Sequence, residues 1–320
     1  MKPKLAVIGA GSIARSHIEA AEEAGFILQG ICGNLNSERA RKISHDYNFN
    51  NYFPDYKSLL NSDFDAISLL TNTEVTFKIL KSLGKYNVPI LVEKPVSTSI
   101  KEFDQLDLDQ SKVLVGYNRR FYSSIRELKN KIETEDFHFA KFNISEISWD
   151  SNALEDIKRN SVLENSVHSL DLVKFLFGNY EIEKVISNKI GNKLCSILVL
   201  IKNHQNKLIE ISISFGIPLN NYIEVWFSNN LAICKPIENY SEYYSMKMVP
   251  PSQEVTYKRY IPEESNRWKM SEADHRFKPG FLGQYFELQK LVNGEPMRIG
   301  ARLKDARDAL LLALTALQNE

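Results

Sequence analysis

The sequence predicts an α/β chain in two parts. Residues 1–120 read as a mostly parallel sheet covered on both faces, and residues 121–320 as an α+β part built on a large open, mainly antiparallel sheet. Three observations carry this reading. Apolar runs at 4–8, 27–32, 66–70, 89–92 and 113–116 alternate with helical stretches, as in sheets covered by crossover helices. A glycine turn, Gly9-Ala10-Gly11-Ser12-Ile13-Ala14, joins the first strand to the first helix. Beyond Phe121 the period changes, and several extended segments follow one another without helices between them.

Taken in order, Lys4-Leu5-Ala6-Val7-Ile8 is the first strand, and a helix runs from near Ile13 to about Ala24, where Gly25 ends it. Strand, glycine turn, helix and second strand form the first half of a dinucleotide-binding unit, so the first part reads as a Rossmann domain. Gly9 permits the tight turn. Gly11 leaves room for a pyrophosphate, whose charge the opening amides of the helix would meet, and Ala14 replaces the third glycine of the fingerprint. Gly9, Gly11, Ser12 and Ile13 are therefore expected cofactor contacts. The second strand leads into Gly33-Asn34-Leu35-Asn36, where such folds often place a carboxylate on the adenosine ribose. Asn34 can hydrogen-bond a 2′-hydroxyl without repelling a 2′-phosphate. Ser37 and Arg39 lie close by, so NAD and NADP are both compatible, with a slight lean to NAD. Arg39 reads equally as a solvated helix residue.

A short helix is expected at 55–60 and a strand at 66–70 with Thr71-Asn72-Thr73 at its end. A crossover helix follows over 74–83, then a strand at 89–92 followed by Glu93-Lys94-Pro95, and a last strand at 113–116. Ligands in such sheets sit beyond the carboxyl ends of the strands. That rule gathers Thr71, Asn72, Glu93, Lys94 and Tyr117 into one crevice with Gly9 and Gly11.

In the second part a helix is expected near 123–131, strand alternation from Phe137 to Trp149, and a helix over 162–177. Extended segments follow near 182–189, 195–201, 207–215, 222–227 and 231–234. Ile209, Ile211 and Ile213 alternate with Glu210, Ser212 and Ser214, giving one apolar and one polar face. The polar face would meet either solvent or another subunit. Residues 241–278 read as irregular, and 286–292 and 303–317 as helices separated by Gly294-Glu295-Pro296. The last helix carries Ala306, Ala309, Leu310, Ala313, Leu314 and Leu317 on one stripe, which reads as core packing.

The chain has 320 residues, 43% hydrophobic and 25% charged, with 40 basic and 40 acidic side chains. That size suffices for two domains with real cores. The balanced charge gives no global footprint for nucleic acid or an anionic membrane. No apolar run approaches a bilayer-spanning length, and the first residues lack a signal-peptide pattern, so a cytoplasmic protein is expected. Cys32, Cys195 and Cys234 fit neither a disulfide framework nor a metal knuckle.

Two residues stand out as candidates for chemistry. Lys94 ends a buried strand and is followed by proline; it could hold a substrate hydroxyl or its developing oxyanion, or simply cap the sheet at the surface. His168 lies with Glu164 and Asp171 at helical intervals of four and three. An imidazole oriented by a carboxylate can take a carbinol proton, although a buried histidine satisfied by Asp171 fits the same spacing. No metal site is expected. His17 reads as structural or pyrophosphate-side, His45, His138 and His204 as surface or strand residues, and His275 beside Arg276 as a weak candidate for a substrate phosphate.

The glycine turn followed by His17, Glu93-Lys94-Pro95, Gly116-Tyr117-Asn118-Arg119-Arg120-Phe121 and Glu164…His168…Asp171 occur in one order and spacing. In these motifs the chain resembles the Gfo/Idh/MocA oxidoreductases, the glucose–fructose oxidoreductase and inositol dehydrogenase group. The resemblance implies a nicotinamide dinucleotide and hydride transfer at a carbinol or carbonyl carbon of a sugar, nucleotide sugar or cyclitol. It implies Lys94 and His168 as catalytic residues, with Glu164, where the family commonly has aspartate, and Tyr117, Arg120 and Asp171 at a small polar substrate. It also implies a homodimer or homotetramer formed through the open sheet. Two further readings stand beside it: reduction of an unsaturated ligand, as in the related biliverdin reductases, and a dinucleotide-binding sensor or partner protein without turnover.

Overall fold

The computed structural model describes residues 2–147, 153–268 and 270–318. The chain forms two compact units, one of residues 1–121 with 272–312, the other of residues 122–271 with 313–320.

The first unit is built on a six-stranded parallel sheet: β1 (Lys4–Ile8), β2 (Ile27–Cys32), β3 (Asn51–Tyr52), β4 (Ala66–Leu69), β5 (Ile90–Val92) and β6 (Val113–Val115), in the order β3-β2-β1-β4-β5-β6. Leu5, Ala6, Val7, Ile67, Leu91 and Leu114 are fully buried, which is why these short runs lack polar alternation. After β3 the chain crosses to the far side of β1, so the connections leaving the paired carboxyl ends of β1 and β4 diverge and leave a crevice between them. Gly9 and Leu70 follow directly from those two ends.

Residues 272–312 cluster with this unit, which differs from the expected grouping of 121–320 as one part. The physical reason lies on the Phe281–Val292 helix. Phe281, Tyr285, Leu288 and Leu291 form a stripe buried in the same core as Ala14, Ile18 and Ala21 of the Ala14–Glu23 helix. The helix is five residues longer at its start than the sequence suggests, beginning at Phe281 after Gly280, whose φ is +79°. Farther along it, buried Glu287 accepts the backbone N–H groups of Arg298 and of Ile299 (3.0 Å). Glu287→Ala leaves these donors without their carboxylate. It is expected to lower stability by about 2–3 kcal/mol, read as a lower urea midpoint.

The second unit holds a mixed eight-stranded sheet. Its strands are β7 (Phe137–Glu146), β8 (Tyr180–Ile190), β9 (Lys193–Asn203), β10 (Leu208–Phe215), β11 (Tyr222–Phe227), β12 (Leu231–Cys234), β13 (Tyr240–Val249) and β14 (Arg259–Trp268). The order is β14-β13-β12-β11-β7-β10-β9-β8, with only β7 and β10 parallel. Ile211 sits in register with Phe142 and Val199, and Ile213 with Ile144 and Ile197, all buried on one face. Phe177, closing the Val167–Phe177 helix, covers that face with ring centroids 5.0 Å from Phe137 and 5.9 Å from Phe142. The opposite face carries a Lys141–Glu210 ion pair (3.2 Å) and an edge-on Phe139–Trp226 contact (5.0 Å).

Three expectations for residues 137–278 are corrected. Residues 241–278 contain the paired strands β13 and β14 and a short helix, Glu272–Arg276. β14 is the edge strand and β13 lies next to it, both with much of their side-chain surface in solvent, so no apolar alternation announces them. The expected 162–177 helix is preceded by another helix, Glu155–Ser161, and begins with a π-helical turn, Val162–Ser166, before the α-helix Val167–Phe177. The expected alternation to Trp149 ends at Glu146 as a strand, and Trp149 itself lies outside the described residues.

Candidate functional site

A cleft of about 640 Å³ opens where the connections leaving β1 and β4 diverge. Six of the expected cofactor contacts line it: Gly9, Gly11, Asn34, Arg39, Thr71 and Asn72. Ser12, Ile13, Glu93 and Lys94 do not line it.

The glycine turn shapes its floor. Gly9 has φ +120°, and a Cβ placed there would stand 2.4 Å from the Leu70 carbonyl oxygen, so only glycine allows the chain to leave β1 beside β4. A Cβ on Gly11 would meet nothing within 4 Å. The turn therefore presents open space above backbone, the shape a pyrophosphate requires, at the entrance to the Ala14–Glu23 helix. On the β4 side, Thr76 Oγ1 lies 2.8 Å from Thr71 Oγ1 and donates to the Asn72 carbonyl (2.8 Å), fixing the loop that begins the Thr73–Leu83 helix. Donors, open backbone and the apolar side chains Ile8, Leu35, Val75 and Ile79 together fit a dinucleotide.

Glu93 and Lys94 follow β5 within the same unit. Glu93 belongs to a largely buried chain of polar groups. His17 Nε2 is 3.0 Å from Glu93 Oε1, His17 Nδ1 is 3.2 Å from the Tyr285 hydroxyl, and that hydroxyl is 2.9 Å from Ser68 Oγ. Burial pushes the Tyr285 phenol well above its ordinary range, so it stays protonated. Gly116 makes room for Glu93, since a Cβ there would lie 2.7 Å from Glu93 Oε1. The histidine one turn into the first helix thus ties the segment before Lys94 to that helix and to Phe281–Val292. Lys94 itself is half-buried.

Tyr117 and Arg120 are buried. The Arg120 guanidinium reaches the carbonyls of Ile299 (3.4 Å) and Gly300 (3.3 Å) and the Asp305 carboxylate (3.5 Å). In the second unit, Glu164 is exposed on the π-helical turn, while half-buried His168 and buried Asp171 lie on the α-helix. The wider π turn takes Glu164 out of phase with the α-helical repeat, so the expected shared face holds for His168 and Asp171 but not by that rule for Glu164. Among the described residues no cluster of three or more His, Cys, Asp or Glu could hold a metal ion. Burial pushes the Cys32 thiol up to about 12 and raises that of Cys234 as well, so neither supplies a thiolate near neutral pH.

Sequence reasoning did not single out Tyr285, Ser68, Asp55 or Lys78. Tyr285 and Ser68 are brought together only by packing across 217 residues. Asp55 and Lys78 sit on crossover segments where a charged side chain carries no local signature.

Residues 4–115 match the GFO_IDH_MocA family model, described as an oxidoreductase family with an NAD-binding Rossmann fold. Over these residues the chain is similar to the Gfo/Idh/MocA oxidoreductases. Its first unit is thus an NAD(P)-binding Rossmann fold. The chain is 32% identical over 148 residues to an inositol 2-dehydrogenase/D-chiro-inositol 3-dehydrogenase of Lacticaseibacillus casei, covering 42% of this chain and 41% of that one. It spans about half the length of the curated relatives it matches. In fold it is similar to a dehydrogenase (MviM) from Clostridium difficile, with a TM-score of 0.78, 19% identity and 100% of each chain covered. It is also similar to an oxidoreductase from Agrobacterium radiobacter in complex with NAD+, L-tartaric acid and magnesium, with a TM-score of 0.74, 14% identity and coverage of 100% and 98%. No helix among the described residues is long and apolar enough to cross a membrane.

Proposed function

We propose that this protein is an NAD(P)-dependent oxidoreductase that moves a hydride to or from a carbinol or carbonyl carbon of a sugar, nucleotide sugar or cyclitol. The observation that carries the reading is the open cleft above Gly11 where those connections diverge, in the same unit as Lys94 at the end of β5. The inositol dehydrogenase of Lacticaseibacillus casei and the NAD+ complex of the Agrobacterium radiobacter protein support the substrate class and the cofactor.

When bound, the nicotinamide supplies a hydride acceptor or donor. Gly9 and Gly11, with Ser12 and Ile13, hold the pyrophosphate; Asn34 and Arg39 meet the adenosine ribose; Thr71, Asn72 and Glu93 border the nicotinamide half. Lys94 donates a hydrogen bond to the substrate oxygen and stabilises the negative charge that grows there when the hydroxyl proton leaves. His168 takes that proton, and Asp171 orients its ring. In reduction His168 returns the proton as the carbonyl oxygen becomes a hydroxyl. Glu164 and Tyr117 border the substrate, and Arg120 supports the wall around it.

Calorimetry of the full chain with NAD(H) and NADP(H) tests the cofactor. A screen of sugars, cyclitols and nucleotide sugars read by nicotinamide absorbance tests the reaction. The expected result is binding of a dinucleotide and absorbance change with a polyhydroxylated substrate. Absence of dinucleotide binding by folded protein would overturn the reading.

The same proposal includes pairing of subunits through the open sheet face, where Trp226 is 48% exposed beside Phe139 and the Lys141–Glu210 pair. Light scattering after gel filtration is expected to give a dimer or tetramer, and Trp226→Glu is expected to shift it to a smaller species by placing an unpaired charge in that contact.

A further inference from the structure

We propose that the cleft selects NADP(H) over NAD(H), with Arg39 receiving the 2′-phosphate and Lys78 adding a second positive charge from the Thr73–Leu83 helix. This rests on the dinucleotide reading of the cleft and reverses the slight lean to NAD that the sequence gives.

The two cofactors differ only at the adenosine 2′ position, a neutral hydroxyl in one and a multiply charged phosphate in the other. Selection of the hydroxyl ordinarily uses a carboxylate at the end of the second strand, which accepts from it and repels a phosphate. Here Asn34 lines the cleft at that end of the chain's second strand, uncharged and exposed. Three charged side chains line the cleft: Arg39, Lys78 and Asp55.

Their situations differ. Asp55 caps the Tyr56–Leu59 helix, and its two oxygens accept from the Ser58 backbone N–H (2.9 Å) and hydroxyl (3.0 Å). The carboxylate is therefore engaged in holding a helix start. Arg39 and Lys78 are both exposed, and neither makes a hydrogen bond or ion pair with another described residue. Two cations kept clear of partners in one cleft leave it with an excess of positive charge. The planar Arg39 fork suits a phosphate, to which it can donate two parallel hydrogen bonds.

Ser37 adds a neutral donor. Its Oγ accepts from the Ala40 N–H (3.2 Å), which leaves the hydroxyl proton available to a phosphate oxygen. Its position is tightly set, because a Cβ on Gly33 would lie 2.7 Å from both Ser37 Cβ and Oγ. A solvated surface role for Arg39 explains its exposure but not the pairing of an uncharged strand end with two unpartnered cations on the same cleft.

The test is isothermal titration of the full chain with NADP+ and NAD+, and with adenosine 2′,5′-bisphosphate and AMP, which differ only in the 2′-phosphate. NADP+ is expected to bind at least about tenfold more tightly than NAD+, and the bisphosphate more tightly than AMP. Raising the salt from about 0.05 M to about 0.3 M is expected to narrow both gaps. Arg39→Ala is expected to weaken NADP+ at least about tenfold more than NAD+, with Arg39→Lys recovering part of the loss and Lys78→Ala giving a smaller change of the same sign. Asp55→Asn, which keeps the cap, is expected to strengthen NADP+ binding by removing a like charge. Thermal midpoints matching the parent show that the variants are folded. NAD+ binding as tightly as NADP+, or Arg39→Ala weakening both equally, would overturn the selection while leaving the dinucleotide reading intact. Folded protein that binds neither overturns both.

Discussion

Gly11→Val is expected to leave the protein folded yet weaken dinucleotide binding by about 100-fold, a loss of about 2.7 kcal/mol. A Cβ on Gly11 meets nothing within 4 Å, so the unliganded fold has no reason to object. The added side chain occupies the space the pyrophosphate needs and separates it from the opening amides. Gly9→Val gives the opposite pattern. Its φ of +120° is closed to branched side chains, and its Cβ would stand 2.4 Å from the Leu70 carbonyl oxygen. The clash is with backbone at the centre of the parallel sheet and cannot be relieved by a rotamer change. A destabilisation above about 4 kcal/mol is expected, seen as loss of the folded baseline in thermal denaturation. Calorimetry and melting on the two variants separate the role of the turn in binding from its role in the fold. A Gly11→Val protein that binds dinucleotide as the parent does would overturn the placement of the pyrophosphate.

Lys94→Met and His168→Ala are each expected to lower turnover by about 10²–10⁴, with dinucleotide affinity held within about threefold. Methionine keeps the length of Lys94 and removes its charge and donors, so the change isolates the interaction with the substrate oxygen. Alanine at 168 removes the proton acceptor; the corresponding limb of the pH–rate profile should vanish with it. Turnover is to be measured with the substrate found by the absorbance screen, and affinity by calorimetry on the same preparations. Full turnover in both variants would overturn the assigned chemistry.

The dinucleotide half was legible because its signals are local. The turn Gly9-Ala10-Gly11 lies between an apolar strand and an amphipathic helix. Each glycine is needed for reasons that involve its immediate surroundings, and Leu70, the residue that confines Gly9, follows a strand that is itself a plain apolar run. Asn34, Arg39, Thr71 and Asn72 follow by topology once the sheet is parallel, since all stand beyond strand ends. The last helix, Leu303–Leu317, was equally plain from its small and apolar stripe.

Other features depend on contacts that no window of sequence contains. The Tyr285 hydroxyl meets His17 across 268 residues and Ser68 across 217. The paired strands β13 and β14, at one end of the second sheet, have exposed Tyr, Met, Glu and Lys where a buried strand would alternate. The π-helical turn at Val162–Ser166 changes the helical phase without a proline or glycine to mark it.

By itself, then, the sequence determined the strand–turn–helix that makes a dinucleotide site and the alternating strands of the second sheet, because hydrophobic periodicity and glycine sterics act between near neighbours. Tertiary structure decided which distant segment completes the first unit, tying residues 272–312 to it, and which charges face the cleft with partners or without. Those outcomes arise from burying an aromatic stripe and from side chains converging across crossovers, where separation along the chain carries no information about distance in space.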